Sequence, residues 1–162
     1  MLSGAKRRIK GFGNPVFLLT LATVLGLDQL SKILLRGYLS PAEIKEIIPG
    51  FFNLIYLWNP GVAFGLFAED GSRLRYFVVV ANLLAAGGLF WYSRRQKRIS
   101  QFFSGLIAGG ALGNLIDRLL YGRVFDFLDF HLGPYHWPAF NLADAAITLG
   151  VLGFLWKAFA EA

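Results

Sequence analysis

The 162-residue chain is 56% hydrophobic and only 16% charged, has a formal net charge of +6 and contains no cysteine. Soluble domains usually carry about 25% charged residues, so the composition argues against a water-soluble fold. The absence of cysteine excludes a disulfide framework, a zinc–thiolate site and a cysteine nucleophile.

The hydrophobic residues are concentrated in four runs of the length that spans a bilayer core of about 30 Å. These runs are Val16–Leu35, Leu74–Tyr92, Phe102–Leu120 and Leu142–Phe159. We therefore predict an all-α polytopic membrane protein with four transmembrane helices in a single domain of residues 1–162. The N-terminus resembles a signal peptide, but no small-x-small cleavage site follows the run through Leu25, so we interpret it as a retained first helix.

Basic residues form two clusters that flank the predicted helices, which is typical of cytoplasmic loops under the positive-inside rule. The clusters are Lys6, Arg7, Arg8 and Lys10 before the first helix, and Arg94, Arg95, Lys97 and Arg98 between the second and third. This predicts an N-in/C-in topology with the loops 36–73 and 121–140 outside. Because the basic residues lie in loops rather than over one face, no nucleic-acid partner is expected.

The third run carries polar residues where a membrane helix should avoid them. Asn114, Asp117 and Arg118 are spaced i, i+3 and i+4, so they share one helix face. A charge at bilayer depth costs about 2.5–3.5 kcal/mol, so this face must contact protein or water. Earlier in the run, Gly105 and Gly109 belong to a doubled G-x-x-x-G pattern with Gly113, which predicts close approach of another helix.

In the predicted topology, the polar residues of the helices all lie near the outer ends. Asp28 and Lys32, spaced i and i+4, end the first helix. They form either a self-neutralising pair whose lysine reaches the interface, or a support for a site. At the start of the fourth helix, Asn141 could be the N-cap and Asp144 its N3 partner, or both could belong to a site.

The first outer loop contains Phe51–Trp58, a run of β-forming residues bounded by turn residues. It predicts a small extracytoplasmic β element of one or two strands. Asn59 and Gly61 follow, either as plain turn residues or, for Asn59, as a hydrogen-bonding site residue. The second helix is assigned to packing only.

Three kinds of catalytic site can be considered for these residues: a serine nucleophile, a metal site and a pair of carboxylates. No G-x-S-x-G motif is present, which argues against a serine nucleophile. His131 and His136 with Asp126 and Asp129 could bind a metal, although their spacing matches no motif. A pair of carboxylates that shares a proton and activates water is the better candidate. Asp144 is one member, and spacing alone leaves both Asp126 and Asp129 open as the other.

Five stretches together resemble lipoprotein signal peptidase (signal peptidase II), a family of bacterial membrane aspartyl proteases. They are DQLSK at Asp28–Lys32, NPGVAFG at Asn59–Gly65, GGALGNLIDR at Gly109–Arg118, GRVFDF at Gly122–Phe127 and PAFNLADAAI at Pro138–Ile147. The resemblance implies that Asp126 and Asp144 are catalytic. It also implies supporting or substrate-binding roles for Asp28, Lys32, Asn59, Gly61, Asn114, Asp117, Arg118 and Asn141.

The resemblance further implies an inner-membrane endopeptidase with an extracytoplasmic site, which cleaves diacylglyceryl-modified prolipoproteins on the amino side of the lipidated cysteine. No metal or cofactor is expected, and membrane lipids and a monomeric state are implied. The alternative is a small transporter or channel component, which would place polar residues through both leaflets and usually shows internal repeats. A structural scaffold would leave the carboxylates unexplained.

Overall fold

The computed structural model describes residues 14–61 and 71–161. In chain order the elements are α1 Pro15–Tyr38, β1 Ile44–Ile48, β2 Phe52–Asn59, α2 Gly71–Ser93, α3 Arg98–Tyr121, β3 Val124–Leu132, β4 Tyr135–His136 and α4 Leu142–Ala160. Within the described residues, four helices are long and apolar enough to cross a membrane, as predicted. The N-terminal basic cluster and the end of the NPGVAFG stretch lie outside the described residues.

The four helices form a bundle around α3. In α3, 61% of the apolar span is buried, against 6–17% in the other three helices, so α3 is enclosed by the others, whose own surfaces are largely exposed. The glycines of α3 make this possible. A Cβ on Gly105 would lie 2.8 Å from Phe17 O, and one on Gly109 would lie 2.9 Å from Leu21 O, both in α1. The predicted close approach at the glycine face is therefore confirmed.

The helix ends at the site are fixed by local sequence. α3 stops at Gly122, which adopts a left-handed φ of 73° and donates its N–H to Arg118 O. Glycine reaches this conformation without a steric penalty, so the chain can turn at once into β3. α4 begins at a complete capping box between Asn141 and Asp144, so the capping alternative for these residues is confirmed.

A four-stranded antiparallel sheet, in the order β1-β2-β3-β4, joins the ends of α1, α3 and α4. The register pairs Asn53 with Asp129 and Leu57 with Asp126, with an irregularity between Leu54 and Leu57. The β element expected in the first outer loop is present, but the run Phe51–Trp58 forms only β2, and its partner β1 lies before that run. Strands β3 and β4 were not predicted, because the start of β3 is buried in an unbroken row and does not show polar–apolar alternation.

Candidate active site

Asp126 lies in β3 and is almost completely buried, with 1% of its surface exposed. Two side-chain amides donate to its carboxylate: Asn59 Nδ2 lies 2.9 Å from Oδ2, and Asn141 Nδ2 lies 2.7 Å from Oδ1. Because the amides come from the end of β2 and the start of α4, three elements fix the orientation of this carboxyl group.

Asp144 lies in the first turn of α4, next to the same amide. Its Oδ2 accepts the backbone N–H of Asn141 at 3.3 Å, and its own N–H donates to Asn141 Oδ1 at 3.1 Å. Its Oδ1 accepts from Asn114 Nδ2 at 2.7 Å. The capping box therefore also orients the carboxylate, and the structural and functional interpretations of Asp144 are compatible.

Two amides connect the carboxylates of Asp126 and Asp144. Asn141 Nδ2, which donates to Asp126, also lies 3.1 Å from Asn114 Oδ1, and Asn114 in turn donates to Asp144. Both carboxyl groups therefore belong to one hydrogen-bond network. In such a network a change in the charge of one carboxyl group affects the other.

Burial, helped by the negative charge of Asp144, raises the pKa of Asp126 to about 6, although hydrogen bonds from Asn59 and Asn141 and the charge of Lys32 act in the opposite direction. A carboxyl group in this range can exchange a proton near neutral pH, which is the property that general acid–base catalysis requires.

Lys32 is completely buried and is linked to Asp144 through Asn114. Its Nζ is 2.9 Å from Asp28 Oδ2, 3.0 Å from Asp117 Oδ2 and 3.1 Å from Asn114 Oδ1. The alternative in which Lys32 reaches the interface is wrong. The buried carboxylates of Asp28 and Asp117 need a counter-charge inside the bundle, and Lys32 supplies it.

The partners of Lys32 extend this cluster to the elements that carry Asp126 and Asp144. Asp117 Oδ2 accepts the N–H of Phe125, immediately before Asp126, at 3.0 Å. Asp28 Oδ1 accepts the N–H of Ala143, immediately before Asp144, at 3.0 Å. The buried ion cluster thus holds the backbone of both strand and helix at the site.

Arg118 and the turn after β2 also belong to the surroundings of the two carboxylates. Arg118 Nη1 donates to Asn114 O of its own helix at 3.2 Å, and the guanidinium interacts electrostatically with Asp144 and Asp126. Gly61, with a φ of 71°, packs against it and donates its N–H to Asn59 Oδ1 at 2.9 Å. Asn59 is therefore both a turn residue and a donor to Asp126.

Asp129 has a different environment. Asp129 and Asp126 are three residues apart in β3, so their side chains point to opposite faces of the sheet. Asn53 Nδ2 donates to Asp129 at 2.8 Å, and His136 Nδ1 lies 2.9 Å from it. Burial alone would raise the pKa of Asp129, but the hydrogen bonds from His136 and Asn53 hold this pKa below its ordinary value.

The four side chains considered for a metal site do not converge. His131 stacks on His136 with ring centroids 4.7 Å apart, and its Nδ1 is paired with Gly133 O. No group of three His, Cys, Asp or Glu residues with metal-binding geometry occurs in the described part of the chain.

Sequence reasoning missed two supporting residues. Gln29 Nε2 lies 3.1 Å from both Asp28 Oδ2 and Gly113 O, so it links α1 to α3. The only indication was its place inside the DQLSK stretch. Asn53, which fixes Asp129, lies in the run that predicted β2, but no pattern distinguished it.

A cavity of about 600 Å³ opens beside Asp144, between the segment that leads into α4 and α4 itself. Its polar groups are few and its walls are mostly apolar. It is lined by Asn59, Trp137, Pro138, Ala139, Phe140, Asp144, Ala145, Thr148 and Leu149. A cavity of this size and composition can hold part of an organic substrate next to a carboxylate.

Known proteins of one family match most of the chain. A family model described as signal peptidase (SPase) II matches residues 20–160. A lipoprotein signal peptidase of Desulforapulum autotrophicum is 47% identical over 137 residues, which are 82% of this chain and 85% of the relative. One from Azoarcus sp. strain BH72 is 45% identical over 144 residues, which are 86% and 80%.

Two solved structures have a similar fold, and both are described as bacterial membrane enzymes determined by the in meso method. The structure at 2.3 Å resolution gives a TM-score of 0.77 at 28% identity, covering 90% of this chain and 88% of that one. The structure at 1.9 Å resolution gives 0.80 at 27% identity, covering 90% and 94%.

Proposed function

The chain belongs to the signal peptidase II family, and from that membership we propose that Asp126 and Asp144 are its catalytic pair. As a member of this family it is an aspartic endopeptidase that removes signal peptides from lipoproteins, and it is a multi-pass membrane protein. The observation that best supports the pair is the amide of Asn141. It donates to Asp126 and caps the backbone of Asp144, so both carboxyl groups are held around one point.

In the proposed reaction, the ionised Asp144 takes a proton from a water molecule while the water oxygen attacks the scissile carbonyl carbon. Asp126, protonated, donates its proton to the carbonyl oxygen. In the second step the carbon–nitrogen bond breaks, the proton on Asp144 moves to the leaving nitrogen, and Asp126 recovers its proton from the hydroxyl group. The products are the carboxylate end of the signal peptide and the free amino group of the next residue.

The proton assignment follows from the environments of the two groups. Asp126 is the more deeply buried carboxyl group, and its pKa of about 6 favours the protonated form relative to an ordinary aspartate. Asp144 lies in the first turn of α4, and both of its oxygens accept hydrogen bonds, from Asn114 and from the backbone of Asn141, so we assign it as the base. Arg118, close to both carboxylates, would stabilise the negative charge that develops on the carbonyl oxygen.

The proposed substrate is a prolipoprotein whose cysteine carries diacylglycerol, cut on the amino side of that cysteine. The cavity beside Asp144 supports this, because Ala145 and Leu149 form an apolar wall that runs from the carboxylate along the bundle, and Leu149 is 60% exposed. A lipidated side chain could lie along this wall without leaving the membrane. The alternative of a small transporter is not favoured by the family membership.

We further propose an N-in/C-in orientation in the bacterial inner membrane, with the carboxylates at the outer surface, as one domain acting as a monomer with lipids around it. The basic residues between α2 and α3 support this orientation. No cofactor is assigned, because the proposed chemistry needs only the two carboxyl groups and water.

The test is cleavage of a lipidated prolipoprotein by the purified chain, followed by mass spectrometry of both products. The expected result is a new amino terminus at the lipidated cysteine, with the same rate in excess chelator. An unlipidated substrate of identical sequence is the matched control and should be cut far more slowly. Loss of turnover in chelator with recovery in zinc would contradict the carboxylate mechanism.

A further inference from the structure

Two arginine side chains flank one pair of aromatic rings where the bundle meets the sheet. The rings of Trp58 and Tyr121 have centroids 5.1 Å apart. Arg36 Cζ lies 4.6 Å from the Tyr121 centroid and 5.7 Å from that of Trp58, and Arg123 Cζ lies 4.8 Å from that of Trp58. Both guanidinium groups therefore lie against the ring of Trp58, so two positive charges share one aromatic cluster.

Neither guanidinium has a carboxylate partner within residues 14–61 and 71–161. Arg36 Nε donates to Lys32 O at 3.1 Å, which leaves its two Nη groups available, and Arg123 makes its contact through the ring of Trp58. The carboxylates of Glu43, just before β1, and Glu46, within β1, accept instead from the backbone amides of Ser40 and Gly50. The positive charge of the pair is thus not neutralised by these groups.

The location of the pair matches the depth of lipid headgroups. Arg36 lies in the last turn of α1, Tyr121 ends α3, and Arg123 precedes β3, so all three lie at the boundary between spanning helices and the sheet. Trp and Tyr are enriched at this level of a membrane. Arg36 is half-buried and Arg123 is exposed, so neither side chain is enclosed by the protein.

Stacking also prepares the guanidinium groups for binding. Contact with a ring restricts the motion of each guanidinium, whose remaining N–H groups match the oxygens of a phosphate. Less side-chain entropy is then lost when the anion binds. An anion would also reduce the repulsion between the two cations.

We propose that Arg36 and Arg123 form a binding site for a phosphate group, supplied by an anionic phospholipid headgroup. The lipid source is favoured over free phosphate because Ile33, three residues before Arg36 on the same helix face, is 59% exposed and offers an apolar surface for an acyl chain. The proposal depends on the fold and on the membrane-spanning helices, and not on the catalytic roles of the aspartates.

The experiment is native mass spectrometry of the purified full chain in detergent with equal amounts of phosphatidylglycerol and phosphatidylethanolamine. The unsubstituted chain should retain phosphatidylglycerol preferentially. Arg36→Gln combined with Arg123→Gln should weaken that retention about tenfold. The matched control is Arg94→Gln with Arg95→Gln, which removes the same charge at the other end of the bundle, where Arg94 also stacks on Trp91 at 5.3 Å.

Equal retention by the double glutamine variant and by the control would overturn the proposal. If the glutamine variant does not fold, Arg36→Lys with Arg123→Lys keeps the charge but loses the planar edge. Its retention should lie clearly below that of the unsubstituted chain, and unchanged retention would also overturn the proposal. A final arm adds inorganic phosphate. Displacement of the lipid at millimolar phosphate would assign the site to free phosphate and overturn the lipid source.

Discussion

The ammonium group of Lys32 lies 3.1 Å from Asn114 Oδ1, which turns Asn114 Nδ2 towards Asp144. An amide group has one acceptor and one donor end, so a cation at the oxygen determines which end faces the carboxylate. Lys32 does not touch the cavity, yet it selects the hydrogen bond that Asp144 receives. The buried ion cluster and the candidate active site are therefore one connected structure.

Lys32→Met should destabilise the protein strongly. The substitution keeps the apolar stem but leaves Asp28 and Asp117 buried without a counter-charge, which typically costs about 3–5 kcal/mol. The measurement is the apparent melting temperature in detergent. Lys157→Met is the matched control, because its 3.7 Å pair with the exposed Glu161 lies at the end of α4 and should contribute at most about 1 kcal/mol.

Arg118→Gln should reduce the turnover rate more than the stability. Its described hydrogen bond is to its own helix, so the melting temperature should fall less than in Lys32→Met, while the turnover rate should fall more than the stability predicts, since its charge acts on both carboxylates. Equal loss of stability in the two variants would show that Arg118, and not Lys32 alone, connects α3 to its neighbours.

The contact between α1 and α3 gives a second stability test. A Cβ at Gly109 would lie 2.9 Å from Leu21 O, a backbone atom that cannot move without shifting α1. Gly109→Ala should therefore destabilise by about 1–3 kcal/mol. Gly88→Ala in α2 meets nothing within 4 Å and should be neutral or slightly stabilising. A similar melting temperature for both variants would contradict the proposed close packing of α1 and α3.

The helices could be predicted from sequence because length and hydropathy are local properties, whereas the ion cluster could not. Lys32 pairs with Asp117, and 85 positions of sequence separate them, so no spacing rule links the two. The choice between Asp126 and Asp129 also depended on contacts between residues far apart in the sequence. Recognising β3 as a strand would have placed these carboxyl groups on opposite faces, but its buried first residues hid the alternation.

The pH dependence of kcat/KM should report Asp126. In the proposed mechanism this group must be protonated, and its pKa is raised to about 6, so kcat/KM should decline as the pH rises through about 6. Bound substrate excludes more water and should raise this pKa further, so kcat should decline at a higher pH than kcat/KM. The measurement is a pair of pH profiles with lipidated substrate. A kcat/KM that rises through pH 6 would mean that Asp126 acts as the base.

Asp126→Asn and Asp144→Asn should each reduce single-turnover cleavage about a thousandfold or more, because an amide keeps the size of the carboxyl group but cannot exchange the proton. The double variant should be no slower than either single variant, since two groups that act as a unit are not additive. Asp129→Asn is the control. Its carboxylate is occupied by Asn53 and His136 on the other face of the sheet, so cleavage should stay close to that of the unsubstituted chain.

Folding must be checked separately, because the NH₂ group of an asparagine at position 126 would face one of the two amide donors, Asn59 or Asn141. The melting temperature and the size-exclusion profile of Asp126→Asn should therefore be compared with those of Asp144→Asn. If the two variants fold equally well, the loss of cleavage is chemical. Normal cleavage by folded Asp144→Asn would eliminate the mechanism. An inactive Asp129→Asn beside an active Asp126→Asn would mean that the carboxylate on the opposite face of β3 is the catalytic one.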